Sequence, residues 1–478
     1  MADAGGTEET GKGGEPTLNR VIGPGLLLLF VVGDILGTGI YALTGKVAAE
    51  VGGAVWLPFL VAFVVALLTA FSYLELVTKY PRAAGAALYT HKAFGVHLLT
   101  FMVTFTVMCS GLTSASSASK AFASNFVEAF DLSVGEGLGL TAVAIAFMTL
   151  IAVVNFRGVA ESVKLNVVLT CVELTGLLIV IFIGAWALGG GDGDMSRLLE
   201  FDSPPGESGF LAVTAATALA FFAMVGFEDS VNMAEETRDP ARIFPKVMLT
   251  GLCVTGVVYI LVSISAVALV PPEELGEGDA PLLKVVAAGA PAFPLTIFAF
   301  VTMFAVANSA LINMMMASRL LYGMANEGVL PRVLGRVHRT RRTPWVGIVF
   351  TTLVAFGLIW FADLTALGGT TSLLLLSVFT VVNIAVLVLR RDPVRHAHFR
   401  APTAIPVIGA LACAYLVSPF SGRAVDDYRV AGVLLVIGLL LWAATYLTDR
   451  FVLHRDRSPA PDRSERGDES QRGTGREP

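Results

Sequence analysis

Apolar runs long enough to cross a lipid bilayer recur along most of this 478-residue chain. A helix needs about 20 such residues to span the hydrocarbon. Lipid offers backbone N–H and C=O groups no partners, so a spanning segment must satisfy them itself, as helices do. Twelve candidate spans stand at about 22–50, 54–78, 95–127, 139–156, 164–189, 209–233, 244–270, 290–325, 344–362, 367–389, 402–420 and 429–450. Turn residues such as Pro58, Pro81 and Pro240 mark several of their ends. The expected fold is therefore an all-α integral membrane protein. Mean hydropathy of +0.73 and only 15 % charged residues exclude a water-soluble domain. The 48 glycines fit close packing between helices.

An even number of spans puts both termini on one side, and basic loops choose the side. Arg238, Arg242 and Lys246 follow span 6; Arg332, Arg336, Arg339, Arg341 and Arg342 follow span 8; Arg390, Arg391, Arg395 and Arg400 follow span 10. The opposite loops are acidic, with Asp192, Asp194, Glu200, Asp202 and Glu207 after span 5 and Glu273, Glu274, Glu277 and Asp279 after span 7. Both termini are thus expected in the cytoplasm and the basic loops with them. The polar stretches 1–20 and 451–478 cannot bury a core and are expected to be disordered tails. A net charge of −5 argues against a nucleic-acid partner. The four cysteines, Cys109, Cys171, Cys253 and Cys413, lie in apolar segments without CxxC spacing and are expected to be buried thiols.

Two spans carry a fault. "VVGDILGTGI" (31–40) places Gly33, Gly37 and Gly39 around Asp34 and Thr38 inside span 1. Gly33 and Gly37 alone fit an ordinary helix-packing face. A carboxylate at that depth costs at least a few kcal/mol unless it meets a cavity or a partner. In span 6, "ALAFFAMVGFEDSVNMAEE", Gly226 is followed by Glu228 and Asp229. Breaks in corresponding spans of two halves point to a transporter built of inverted repeats, spans 1–5 against 6–10. The correspondence is one of position, without residue-level repetition. A broken helix exposes N–H groups at the start of its second half, here near Gly37, Thr38 and Gly39, where a carboxylate is favoured. The carbonyls ending the first half, near Gly33, Asp34 and Ile35, accept from an ammonium or a cation. A zwitterionic amino acid matches that pair.

Four stretches resemble the amino acid-polyamine-organocation (APC) superfamily: "GDILGTGIYAL" (33–43), "FSYLELVTKYPRAAGAALYTHKAFG" (71–95), "FFAMVGFEDSVNMAEETRDPARIFP" (221–245) and "NSALINMMMASRLLYGMANEGVLPRVLGRVHRTRRTPW" (308–345). Order and spacing hold from about residue 20 to 450. The resemblance implies twelve transmembrane helices in the LeuT-type five-plus-five inverted repeat with helices 1 and 6 broken. It implies a permease domain at 21–450, with repeat one at about 21–190, repeat two at about 208–390 and helices 11–12 at about 402–450. It also implies proton-coupled or exchange transport of amino acids or amines across the cell membrane, with protons and the lipid bilayer as the other partners.

The resemblance carries the substrate carboxylate to Gly37, Thr38 and Gly39, and its ammonium to carbonyls at Ile35 and near Phe221 and Met224. Phe222 stands where an aromatic ring closes over the substrate in relatives, though plain core packing also explains it. Two departures from the family stand out. A lysine often found in the fifth helix is replaced by Glu173, which is either a structural carboxylate or a protonatable or cation-coordinating group beside Asn308 and Ser309. Asp34 replaces a small or amide residue, and Met224 a frequent aromatic. With Glu173, Glu228 and Asp229 near the same cavity, the site is unusually acidic, which favours a cationic substrate or several protons moving with a neutral one. Glu228 is assigned to proton linkage, with a structural cap as its alternative. Glu75, Lys79 and Arg82 at the inner end of span 2, with Glu235, Glu236 and Arg238 after span 6, read as a cytoplasmic ion-pair cluster for gating or topology.

No HExxH, GxSxG or Walker loop is present and the six histidines are scattered, so neither an enzyme nor a metal or cofactor site is expected. The leading expectation is a secondary active transporter of an amino acid working by alternating access. The alternatives are a substrate-product exchanger for cationic amino acids or polyamines and, from another class, a nutrient receptor that keeps the transporter fold.

Overall fold

The computed structural model describes residues 22–451, apart from 83–84, 133–136, 158–161, 204–205, 207, 235, 327–329, 342 and 395, with side chains left aside at 162–166 and 448–451. The expected tails lie outside the described residues, position 451 excepted, as does Glu235. The described chain is helical from end to end: α1 (Pro24–Ile35), α2 (Thr38–Val51), α3 (Trp56–Lys79), α4 (Gly85–Phe94), α5 (His97–Ala129), α6 (Leu138–Arg157), α7 (Ser162–Gly190), α8 (Gly209–Ala220), α9 (Pro240–Leu269), α10 (Pro272–Gly276), α11 (Pro281–Gly289), α12 (Leu295–Asn326), α13 (Trp345–Phe361), α14 (Leu364–Leu389), α15 (Ala404–Val417) and α16 (Val425–Phe451).

Among the described residues ten helical segments are long and apolar enough to cross a membrane, counting α1 with α2 and α8 with the turns after it as one segment each. Two shorter apolar helices, α13 and α15, lie where spans 9 and 11 are expected. At 1.5 Å per residue the 17 residues of α13 reach about 26 Å, the lower end of what a bilayer needs, and the 14 of α15 about 21 Å. A 3₁₀ turn, Pro419–Ser421, follows α15. The acidic loop after span 7 forms α10 and α11, each begun by a proline whose missing N–H costs nothing at a helix start.

The two broken segments meet in the middle. α1 packs on α7 and α9, α2 on α8, and α5 lies along α12 and α14. Two short backbone pairings tie the ends of these elements. Ile22, ahead of α1, pairs in parallel with Thr237, beyond the sixth-span break. Gly52, at the end of α2, pairs with Phe201 ahead of α8. The cysteines divide: Cys109 and Cys413 are buried, as expected, whereas Cys171 and Cys253 lie exposed on the outer faces of α7 and α9. Apolar spans bury one face and leave the other to lipid, so an apolar position alone does not fix which face a thiol takes.

Candidate functional site

The first break is short. α1 closes with the Leu36 amide donating to the Val32 carbonyl at 2.8 Å, and two residues later α2 begins. Leu36 and Gly37 are extended (Leu36 ψ 120°, Gly37 φ −175°), a conformation open to any residue. Space, more than torsion, explains the glycines here. A Cβ on Gly39 would stand 2.5 Å from the Ala223 Cα, and one on Gly33 would run into the Thr170 side chain. A Cβ on Gly37 would meet only the Ser309 hydroxyl at an ordinary 3.4 Å. No side-chain hydrogen bond caps the start of α2.

The second break is long. α8 ends at Ala220, tightens into a 3₁₀ turn at Phe221–Met224, opens at Val225 and continues only as a further 3₁₀ turn, Asp229–Met233. Gly226 has φ +126°, which L side chains rarely adopt, and a Cβ there would drive into the Asp34 carbonyl. The two breaks therefore cross in direct backbone contact at Gly226 and Asp34.

Between them lies a cavity lined by Asp34, Ile35, Gly37, Thr38 and Gly39 from the first break and by Phe222, Val225, Gly226 and Asp229 from the second. Ser114 of α5 and Ser309 and Asn313 of α12 complete it. No Lys, Arg or His lines it among the described residues. Asp34 Oδ2 and Thr38 Oγ1 are buried without a hydrogen-bond partner there. Buried polar atoms are normally satisfied, so an unpaired carboxylate oxygen beside a cavity is an acceptor awaiting a donor.

The other expected residues divide. Phe222 lines the cavity, but Phe221 and Met224 are fully buried away from it, with Phe221 packed edge-on against Phe379 of α14. The Glu228 carboxylate accepts from the Gly226 amide at 2.9 Å, which makes it the cap of the second break. Glu173 on α7 is fully buried; neither carboxylate oxygen has a partner of good hydrogen-bond geometry, and the Asn308 side chain is the polar group that reaches toward it. Its backbone carbonyl takes the Tyr41 hydroxyl at 2.6 Å, joining α7 to α2.

The ion-pair cluster expected near the end of α3 takes other partners. Glu75, buried at the end of α3, pairs with Arg390 after α14 and not with the loop after span 6: Nε and Nη2 donate to its two carboxylate oxygens at 2.8 and 2.7 Å. The Ala401 amide donates to Glu75 as well, and this hydrogen-bonded carboxylate holds the Arg390 guanidinium above its ordinary value. The physical reason is shape, because a planar guanidinium satisfies both oxygens of a buried carboxylate at once. Lys79 donates to the carbonyls of Leu389 and Asp392, both at 2.6 Å, while Arg82 is exposed and Arg238 donates its amide to Ile22.

Three lining residues escaped the sequence reading. Ser114 belongs to a run of hydroxyls, "SGLTSASSAS" (110–119), whose density inside a membrane span was the available signal. Asn313 lies one turn after Ser309 and donates to its carbonyl at 2.9 Å. Val225 carries no polar signal. Tyr259 on α9 was also missed: its hydroxyl donates to the Ile35 carbonyl at 2.6 Å and so occupies an acceptor expected to face the substrate.

Comparison with known proteins agrees with this architecture. The family model described as "Amino acid permease" matches residues 26–442. The chain is 29 % identical to the methylthioribose transporter of Bacillus subtilis over 85 % of its length and 89 % of that protein. It is 26 % identical to the branched-chain amino acid permease BcaP of the same organism, over 90 % of this chain and 93 % of that one. It is also 30 % identical to the chloroplastic cationic amino acid transporter 9 of Arabidopsis thaliana, over 68 % of this chain and 58 % of the relative. With its membrane-length helices, two interrupted spans and a match running from α1 into α16, the chain is a multi-pass membrane protein, a transporter and not an enzyme, and it belongs to the amino acid permease family.

Proposed function

We propose that this chain is a secondary active transporter that carries an amino acid across the cell membrane by alternating access, coupled to protons. The observation that carries the reading is the crossing of the two breaks at Gly226 and Asp34 beside a polar cavity. Uncapped N–H groups opening α2 suit a substrate carboxylate, and Asp34 Oδ2 suits its ammonium. We assign Gly37, Thr38 and Gly39 to the carboxylate, Asp34 to the amine and Phe222 to closure over the substrate. Gly33, Glu173, Asn308, Ser309 and Glu228 are assigned to proton or cation coupling, and Glu75, Arg82, Glu235 and Arg238 to cytoplasmic contacts that change with the access state.

The proposed frame is twelve spans with α13 and α15 as the ninth and eleventh, in a LeuT-type five-plus-five repeat, repeat one at about 21–190 and repeat two at about 208–390. Helices 11–12 follow at about 402–450, and both tails, 1–20 and 451–478, lie in the cytoplasm. Alternating access then moves the bundle holding both breaks against α5 and α12, which supply Ser114, Ser309 and Asn313.

A second reading, exchange of cationic amino acids or polyamines, has one observation in its favour. Asp34 and Asp229 line the cavity with no basic side chain beside them among the described residues. Reconstituted protein in vesicles without internal substrate separates the two. Accumulation of radiolabelled L-leucine or L-lysine driven by an imposed inward proton gradient is expected for the proton-coupled transporter. An absolute requirement for internal substrate overturns it in favour of exchange, and binding without flux overturns both in favour of a receptor.

A further inference from the structure

The second break leaves helix-end carbonyls as well, and the fate of one of them concerns a residue far along the chain. α8 is a half-helix whose last turn holds Ala218, and beyond Ala220 the chain tightens to 3₁₀ geometry, with the Phe221 amide shared between the carbonyls of Thr217 and Leu219. The C-terminal end of such a half-helix is also its negative pole. In a broken-helix transporter that pole is where a cation or a substrate amine is drawn. Here it is already occupied. Ser372 of α14 donates its hydroxyl to the Ala218 carbonyl at 2.5 Å. Arg423, in the link between α15 and α16, donates from Nη2 to Ser372 Oγ at 3.2 Å and reaches the Ala218 carbonyl at 3.5 Å.

Arg423 is held there on every side. Its Nη1 donates to the Gly369 carbonyl at 2.7 Å and to Asp427 at 3.0 Å, and its Nε donates to the Leu416 carbonyl at 3.2 Å. It is 6 % exposed, so the guanidinium, ion-paired with Asp427, is fixed beside the end of α8. The link that carries it is docked on the same helix, with the Thr214 hydroxyl donating to the Ser421 carbonyl at 3.0 Å. One guanidinium thus binds α14, α15 and α16 to the outer half of the broken sixth span.

We propose that Arg423 is a positioning residue for substrate binding: it supplies the counter-charge at the C-terminal end of α8, holds the second break in the geometry that forms the cavity, and leaves the amine to Asp34. The first part concerns this chain alone; the second rests on the transport reading above. Arg423 touches no cavity residue and acts through Ala218 and Ser372.

The full chain in detergent, followed by hydrogen–deuterium exchange, tests the first part. Arg423→Gln removes the charge, and Arg423→Lys keeps a charge without the fork. Faster exchange of the amides at 218–226 in Arg423→Gln, with 24–51 unchanged and partial protection returned in Arg423→Lys, is the expected result. Wild-type exchange at 218–226, or faster exchange spread over all helices, overturns it. If Arg423→Gln does not fold, Ser372→Ala removes the bridging hydroxyl instead and is expected to loosen the same amides.

For the second part the same variants are reconstituted with radiolabelled L-leucine and L-lysine. KM is expected to rise about tenfold in Arg423→Gln, the worth of roughly one charged hydrogen bond, with kcat changed far less. A fall in kcat at constant KM overturns the positioning role. If the wild type carries neither probe, the transport reading fails with these substrates, and the exchange measurement still decides the role of Arg423.

Discussion

The two breaks in this permease solve one problem in opposite ways. The first interrupts its span for two residues, is flanked by regular α-helix on both sides, and keeps the N–H groups that open α2 without a side-chain cap. The second gives up α-helix from Phe221 to Met233 and satisfies itself: Glu228 takes the Gly226 amide, and Ser372 and Arg423 take the end of α8. Even the acceptor end of the first break is partly closed, because Tyr259 donates to the Ile35 carbonyl. What remains open is the uncapped start of α2 with the Thr38 hydroxyl, and one carboxylate oxygen, Asp34 Oδ2. In the proposed reading the substrate carboxylate is held by main chain and its amine by a side chain, and only the second can be changed by substituting one residue without moving the backbone.

The harshest way to break this comparison is to remove the contact that joins its halves. Gly226→Ala puts a Cβ into the Asp34 carbonyl at a residue with φ +126°. The torsion alone costs roughly 1–3 kcal/mol, and the overlap adds to it. Uptake is expected to vanish and the thermal unfolding midpoint to fall clearly. A variant with wild-type flux would mean that the two backbones do not need to cross this closely.

Next in size is Asp34→Asn, which keeps shape and removes charge. Losing a charged hydrogen bond is worth about 1.5–3 kcal/mol, which is roughly 10- to 100-fold in affinity. Both L-leucine and L-lysine present the same α-ammonium, so KM is expected to rise by about that factor for each. An unchanged KM for both probes would return amine recognition to the carbonyls.

How much of this was legible in the sequence follows from what each feature depends on. Both breaks could be read, since glycine and an acid in a membrane span are local anomalies, and ten membrane-length helices follow from apolar runs alone. The break residues facing the cavity were mostly named, because a helix end exposes consecutive positions. The partners were not. Arg390 lies 315 positions from Glu75, and Tyr259 lies 224 from Ile35. Nothing in either local pattern encodes which distant helix packs alongside. Phe221 and Met224 point to the same limit, because a 3₁₀ turn rotates consecutive residues differently from an α-helix and carries these two into the core.

Tyr259→Phe sharpens the comparison at the acceptor end. The Ile35 carbonyl loses a donor at a buried site, a cost of about 1 kcal/mol that should appear as a small drop in thermal unfolding temperature. Tyr259 does not line the cavity, so KM for L-leucine should stay near the wild-type value despite the lower stability. A large rise in KM would show that the tyrosine organises the site and does more than fill one of its acceptors.

The mildest test separates the glycines of the first break from one another. Gly37 is extended, so an alanine there has no torsional penalty, and its Cβ would rest 3.4 Å from the Ser309 hydroxyl in ordinary contact. Gly37→Ala should therefore fold as the wild type does and narrow the cavity by one methyl group. Overfilling a packed space by so little costs at most about 1–3 kcal/mol, and here it falls only on the bound state, so KM should rise while the unfolding temperature holds. Gly39→Ala, two residues on, meets the Ala223 backbone at 2.5 Å and should lose stability instead. If the two variants behaved alike, the cavity would not lie where the uncapped end of α2 faces Ser309.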